Sequence, residues 1–160
     1  MGRKDTVPFV SGPQFEIQMY DYATQIGQFK DIAHQIEKAS EIEMLKKAGV
    51  KFNEKDVVFA IKDKKENLLW LETGNDNAGL KHIVKEHKND YQSVYGVGEK
   101  DIPGFIKNLL SSGKLLGERK VIKNGKNGFE RTYEYDNKHY TVAGIGENGF
   151  IVSVYPFRRK

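Results

Sequence analysis

The sequence predicts an α+β fold in which helices precede a meander of antiparallel strands. Apolar residues recur at helical spacing over residues 14–48. From residue 115 onward the hydrophobic period becomes two, which is typical of strands with one buried face. Because the helical pattern comes first and the strand pattern last, we expect helices packed on an antiparallel sheet of four or five strands.

The helical region 14–48 contains one glycine, Gly27, which predicts a weak point or break in the helix. Gly49 follows two lysines and alanine, a sequence that favours a helix end. The β-branched and aromatic run 56–61 and the apolar run 68–72 then predict a hairpin, because a charged turn separates them.

Two shorter helices are predicted between the hairpin and the final strands. Asn77 is a candidate cap for a helix over about 78–88, and Asp101 for a second helix that ends at Gly113. Four strands follow near 115–122, 128–135, 138–144 and 149–156, with Asn and Gly at the turns. This pattern predicts a helical N-terminal segment over residues 1–50, acting as an entry segment, linker or cover, and a second domain over 51–160.

Composition excludes several classes of protein. The chain has 160 residues, no cysteine and 30% charged residues, as expected for a globular domain. Without cysteine there is no disulfide framework, no thiolate nucleophile and no Cys-ligated metal site. No apolar run approaches the roughly 20 residues of a membrane span, so no span is expected.

The net charge of +4 is concentrated at one end of the chain. Residues 114–160 contain 10 basic and 5 acidic side chains, whereas residues 51–113 balance at 10 of each. Aromatic residues are interleaved with these cations. This pattern indicates either the surface of an amphipathic sheet or a site that holds phosphates and stacks on bases.

His82 and His87 share one predicted helix. Their separation of five residues corresponds to about 140° around the axis, so they do not form a zinc-binding i, i+4 pair, and no metal site is expected. His87 follows the apolar positions and is predicted to face the sheet, whereas His82 is predicted on the opposite side. An imidazole titrates near neutral pH and can serve as a general acid or base.

Polar residues on the strands could complete such a site. Ser153 and Tyr155 share one face of the last strand, and Arg131 and Tyr133 share a face of an inner strand. Cleavage of RNA without metal needs a base for the ribose 2′-OH, an acid for the leaving oxygen and cationic or hydroxyl donors for the phosphate. These residue types supply all of those groups.

Three segments together resemble a known family. These segments are Trp70-Leu71-Glu72-Thr73-Gly74, then Gly79-Leu80-Lys81-His82-Ile83 with His87, and Gly149-Phe150-Ile151-Val152-Ser153-Val154-Tyr155-Pro156. They resemble phage and polymorphic-toxin nucleases of the barnase, EndoU, colicin and RelE-like ribonuclease grouping, as found at the C-terminus of contact-dependent inhibition toxins. The resemblance covers residues 51–160. Glu86 departs from it, because arginine often precedes the second histidine in the family.

The resemblance implies metal-independent RNA cleavage, often of tRNA, that leaves a 2′,3′-cyclic phosphate and needs no cofactor. It implies catalytic roles for His82, His87, Arg131, Ser153 and Tyr155, with acid and base unassigned between the histidines. Further residues expected to contact RNA are Lys81, Lys120, Lys123, Tyr133 and His139.

The resemblance also implies a monomeric toxin domain that is secreted or delivered as part of a longer protein. Such a domain acts in the cytoplasm of a target cell, and a cognate immunity protein neutralises it. By charge complementarity an inhibitor of a basic nuclease is expected to be acidic. The alternatives are a non-catalytic RNA-binding or interaction module, or a phage-encoded structural protein, on the same fold.

Overall fold

The computed structural model of the protein describes residues 13–156, with side chains described at Gln28 and from residue 30 onward. The fold class is α+β, as predicted. The chain divides into two compact units, residues 1–40 and 41–160, and each is described by itself.

Helix α1 (Pro13–Ala48) supplies the described part of the first unit and the beginning of the second. It continues through Gly27, so the predicted break at that residue is wrong. A single helical glycine costs only about 1 kcal/mol relative to alanine, which the surrounding helix formers can offset. Ile32 and Ile36 in the first unit are 49% and 64% exposed, so these two positions of the apolar pattern are not buried.

The second unit begins inside α1, ten residues before the predicted boundary at residue 50. Leu45 is fully buried in a small core with Val57, Ala60 and Trp70. The buried carboxylate of Glu41 accepts a hydrogen bond from the backbone N–H of Ala60 at 2.8 Å. The last turns of α1 therefore belong to the domain that follows them.

The elements of the second unit appear in the predicted order. The hairpin strands are β1 (Val57–Lys62) and β2 (Leu68–Glu72), the helices are α2 (Leu80–Tyr95) and α3 (Ile102–Ser112), and the last strands are β3 (Lys114–Lys123), β4 (Lys126–Tyr135), β5 (Lys138–Gly146) and β6 (Ser153–Pro156). Strands β3 to β6 form one antiparallel sheet in sequence order. Single 3₁₀ turns span Glu54–Asp56 and Glu99–Asp101.

Helix α2 differs from the prediction at both ends. It begins after Gly79 instead of being capped by Asn77, and it continues to Tyr95 instead of ending near residue 88. Tyr91 is fully buried, so the apolar face extends well beyond His87. Gly96 then adopts the left-handed conformation, its N–H donates to the carbonyl of Gln92 at 2.9 Å, and the N–H of Val97 donates to the carbonyl of Tyr91 at 3.2 Å.

One face of the four-stranded sheet packs against α2 and α3. The residues with no exposed surface on this face include Tyr133, Tyr140, Val142 and Val154. The strand pairing places Tyr155, Ser153 and Glu130 on the opposite face. The first face provides the core, and the second is available for a site.

No helix in the described part of the chain is long and apolar enough to cross a membrane.

Candidate functional site

Two hydrogen bonds fix α2 against the last strand. The N–H of Gly79, just before the helix, donates to the carbonyl of Val152 at 3.0 Å. The hydroxyl of Tyr91 donates to the carbonyl of Val154 at 2.7 Å. Gly79 has φ of 92° and ψ of −165°, a conformation that glycine alone adopts readily. These two contacts, one before His82 and one after His87 in the sequence, hold both histidines of α2 beside β6.

His82 lies in the first turn of α2. Its Nδ1 is 2.8 Å from the carbonyl oxygen of Asp76 in the preceding loop. Because a carbonyl only accepts, Nδ1 carries the hydrogen and the neutral ring exposes Nε2 as a base. The predicted placement of His82 opposite His87 is wrong, because both rings line one cleft with centroids 6.5 Å apart. A first-turn side chain can bend toward the loop because no earlier turn blocks it.

His87 packs against the sheet, as predicted. Its ring stacks on Tyr155 of β6, with centroids 4.7 Å apart and 22° between the planes. Its Nδ1 lies 3.1 Å from a carboxylate oxygen of Asp90, one helical turn later. Since the carboxylate accepts, the proton again belongs on Nδ1 and Nε2 is the basic nitrogen of the neutral ring.

The hydroxyls of β6 face the same cleft. Ser153 is 4% exposed, and its Oγ has no hydrogen-bond partner among the described residues. A buried hydroxyl normally has a partner, so this oxygen is suited to a bound group or water. Burial raises the pKa of the Tyr155 phenol, and the negative charge of Glu130 raises it further against an opposing effect of Arg119. Tyr155 therefore stays protonated and can donate.

An ion pair completes this face of the sheet and was not predicted from the sequence. Arg119 of β3 lies opposite Glu130 of β4, and their side chains meet at 2.9 Å. Glu130 lines the cleft, and its charge acts on Tyr155. The two-residue turns at Asn124-Gly125 and Asp136-Asn137 set the pairing of β3 with β4 and of β4 with β5. Numbering the pairs from these turns would have placed Glu130 opposite Arg119 and on the same face as Tyr155.

The structure separates Arg131 and Tyr133 from the histidines, contrary to the predicted grouping. Arg131 is 7% exposed on the core face of β4 and bonds to Glu118 at 2.6 Å. Tyr133 has no exposed surface, and its hydroxyl donates to Asp63 at 2.6 Å. The alternation of side chains along β4 sends both away from the cleft. Arg131 therefore cannot contact a phosphate beside the histidines, and Tyr133 cannot stack on a base.

The other predicted RNA contacts fall at different positions. Lys123 lines the cleft, at the end of β3. Lys81 is exposed beside His82, and Lys120 is exposed on β3 but alternates away from Arg119. His139 is exposed on β5, with its Nε2 3.7 Å from Glu134. Of these four residues only Lys123 borders the cleft.

One cleft of about 730 Å³, which we call the histidine cleft, is lined by His82, His87, Lys123, Glu130, Ser153 and Tyr155 among others. Its walls come from the first half of α2, the end of β3, the start of β4, the second half of β5, and β6 with the residues just before it. The volume is in the range of small-molecule sites, and a nucleotide unit fits that range. Among the residues whose side chains the structure describes, no group of three or more His, Asp or Glu side chains is arranged to hold a metal ion.

The cleft can transfer protons and hold an anion. Two imidazoles present basic nitrogens, a phenol and a buried hydroxyl can donate, and Arg119 and Lys123 add positive charge nearby. A scan against protein-family models and a search of curated proteins gave no match to the chain.

Proposed function

We propose that the second unit is a metal-independent endoribonuclease that attacks through the ribose 2′-OH and leaves a 2′,3′-cyclic phosphate. The observation that carries the proposal is the convergence of His82, His87, Tyr155 and Ser153 on one cleft, from α2 and β6. The sequence resemblance to toxin ribonucleases points to the same activity.

The proposed chemistry needs two proton transfers. One neutral imidazole takes the proton of the 2′-OH at its Nε2 as that oxygen attacks phosphorus. The other, as imidazolium, gives its Nε2 proton to the departing 5′-oxygen as the phosphorus–oxygen bond breaks. Both rings are held through Nδ1, so Nε2 is the nitrogen that exchanges the proton. The ring centroids are 6.5 Å apart, a spacing that allows the two nitrogens to flank one phosphate.

The remaining groups of the cleft stabilise charge on the phosphate. Tyr155 and Ser153 of the cleft wall donate hydrogen bonds to the non-bridging oxygens. Arg119, which pairs with Glu130 and whose charge acts on Tyr155, supplies the cation that the sequence had assigned to Arg131. Glu130 orients the Arg119 guanidinium through their ion pair. Lys123 holds a neighbouring phosphate of the RNA.

We further propose that the RNA is tRNA and that the domain acts as a toxin. The toxin would be delivered as part of a longer protein into the cytoplasm of a target cell and neutralised by an acidic immunity protein. The support is the resemblance of residues 70–74, 79–87 and 149–156, together with the excess of cations over residues 114–160. An acidic inhibitor would match that charge.

The test is incubation of the purified chain with total tRNA in EDTA, followed by mapping of the ends. Cleavage with cyclic phosphate termini is expected, with losses of about 10²-fold or more in His82→Ala and His87→Ala. His139→Ala is the matched control, because this exposed histidine lies outside the cleft. Intact tRNA with the wild-type protein, or equal loss in the control, would contradict the proposal.

The same assay separates the alternatives. A non-catalytic RNA-binding module would shift tRNA on a native gel without cutting it, and growth arrest on expression would persist in His82→Ala. A structural protein would do neither. Cleavage that stops in EDTA would mean that the cleft acts with a metal ion.

A further inference from the structure

A second groove adjoins the histidine cleft at the β3–β4 turn. Its walls include Trp70, Glu147, Lys51 and Lys126, and its volume is also about 730 Å³. We call it the Trp70 groove. Lys126, Asn127, Gly146 and Phe150 line both cavities. The two cavities therefore share a wall and lie next to each other.

Phe150 stands at this junction with part of its ring exposed. Its ring meets Trp70 edge-on, with centroids 5.1 Å apart and 67° between the planes. Its backbone N–H donates to the Asn148 side chain at 3.0 Å, and its carbonyl accepts from Gly146 at 2.9 Å. The indole Nε1 of Trp70 in turn donates to the Asn148 carbonyl at 3.0 Å. The backbone hydrogen bonds of Phe150 and the packing of its ring on Trp70 thus place an aromatic surface at the junction.

The charges of the Trp70 groove suit a base better than a phosphate. Two lysines, Lys51 and Lys126, are balanced by two carboxylates, Glu72 and Glu147. A phosphate would meet repulsion from the carboxylates, whereas an uncharged base gains apolar and stacking contacts. Lys126 and Lys123 lie at the histidine cleft, where a phosphate linking the two positions would pass.

We propose that the Trp70 groove is a nucleotide subsite in which an unpaired RNA base, next to the cleaved linkage, stacks on Phe150. This inference rests on the proposed ribonuclease function and adds that the substrate must be single-stranded at the cleaved position. A base in a duplex is stacked on its neighbours and cannot enter such a groove.

The test measures binding without cleavage. The probe is a mixed-sequence pentanucleotide of deoxyribose, which has no 2′-OH, compared with an abasic deoxyribose-phosphate pentamer of equal charge. The chain contains a single tryptophan, so tryptophan fluorescence, excited selectively over that of the tyrosines, reports on Trp70 alone. The pentanucleotide is expected to change the Trp70 emission, and the abasic pentamer is expected to bind without changing it.

Phe150→Leu should weaken binding of the pentanucleotide by roughly 10- to 100-fold, the range found for loss of one stacked base. Its affinity for the abasic pentamer should stay the same, and Phe150→Tyr should restore binding. Phe52→Leu is the matched control, because Phe52 contacts Trp70 with centroids 6.3 Å apart but lines neither cavity. Thermal unfolding of each variant checks that the fold is retained.

Wild-type affinity in Phe150→Leu, or equal losses in Phe52→Leu, would overturn the subsite while leaving the ribonuclease proposal intact. The same holds if the abasic pentamer changes the emission as the pentanucleotide does. Failure of the wild-type protein both to bind the pentanucleotide and to cut tRNA would overturn both proposals.

Discussion

The imidazole of His87 lies nearly parallel to the phenol ring of Tyr155, with centroids 4.7 Å apart and 22° between the planes. This stack joins the middle of α2 to the last strand. It therefore orients the His87 ring, which is proposed to transfer a proton, and positions the Tyr155 hydroxyl, which is proposed to donate a hydrogen bond. The stacked rings fix the imidazole from one side, and Asp90 fixes it through Nδ1.

Removing the hydroxyl of Tyr155 while keeping its ring should lower the rate without disturbing the stack. We expect Tyr155→Phe to reduce kcat by on the order of 10²-fold, because one donor to the phosphate is lost. Tyr155→Leu should lower kcat further, since His87 also loses its aromatic partner. Steady-state cleavage between pH 5 and 9 measures both effects. Equal rates for Tyr155→Phe and wild type would remove the hydroxyl from the mechanism.

Arg119 and Arg131 should separate activity from stability. Arg119 is 69% exposed at its side chain, so Arg119→Gln should lower cleavage by on the order of 10²-fold and leave the free energy of unfolding within about 0.5 kcal/mol. Arg131→Gln should instead destabilise the fold by about 1–3 kcal/mol, because a buried hydrogen-bonded group is lost. Urea unfolding and tRNA cleavage distinguish the two. The reverse pattern would restore the role predicted for Arg131.

Gly79 should resist substitution because of its backbone conformation. A Cβ at this position would lie 2.7 Å from the carbonyl oxygen of Glu72, and φ of 92° is strained for any other residue. Gly79→Ala should cost about 1–3 kcal/mol of stability and shift His82 away from the cleft. Gly104→Ala is the control, because a Cβ there meets open space. Equal unfolding midpoints for the two variants would show that the turn relaxes without cost.

Asp63 should make the free energy of unfolding fall as the pH is lowered into the acid range. Burial alone would raise the pKa of this carboxyl, but hydrogen bonds from Tyr133, Asn67 and Lys65 outweigh it and hold the pKa below its ordinary value. The stabilisation is therefore complete above the unfolded pKa of about 4 and is lost as the pH falls through the lower folded pKa.

Replacing this carboxylate should remove that dependence. Asp63→Asn is expected to lower the free energy of unfolding by about 1–3 kcal/mol at pH 7, with a smaller difference from wild type at pH 3. Urea unfolding at pH 7, 5 and 3 gives the comparison. Glu99→Gln, at an exposed ion pair with Lys88, should change little at any of these pH values. A difference that grows toward pH 3 would contradict the sign of the shift.

Local patterns predicted the elements better than the contacts between them. The period of two and the Asn-Gly and Asp-Asn turns predicted the four-stranded meander, because both signals are local to each strand. The extension of α2 to Tyr95 depends on burial against the sheet, which no local pattern records. Continuity of α1 through Gly27 was missed because one glycine only weakens a helix.

The sequence predicted the residues of the candidate cleft on α2 and β6 and Lys123 on β3, but it did not predict Arg119 or Glu130. Ser153 and Tyr155 were found because strand parity places them together. Arg131 was preferred to Arg119 because the register between four strands was not followed from their turns. The bend of His82 toward Asp76 depends on a loop conformation that helical geometry alone does not give.

The two outer strands of the main sheet differ in how they resist aggregation. The outer edge of β6 is covered by α2, because the N–H of Gly79 and the hydroxyl of Tyr91 donate to the carbonyls of Val152 and Val154. Strand β3, the other outer strand, is ten residues long and mostly exposed, with lysine or arginine at positions 114, 119, 120 and 123. Positive charge on an edge strand discourages pairing with another chain. The cations of β3 therefore help to keep the sheet from pairing edge to edge with the sheet of another molecule.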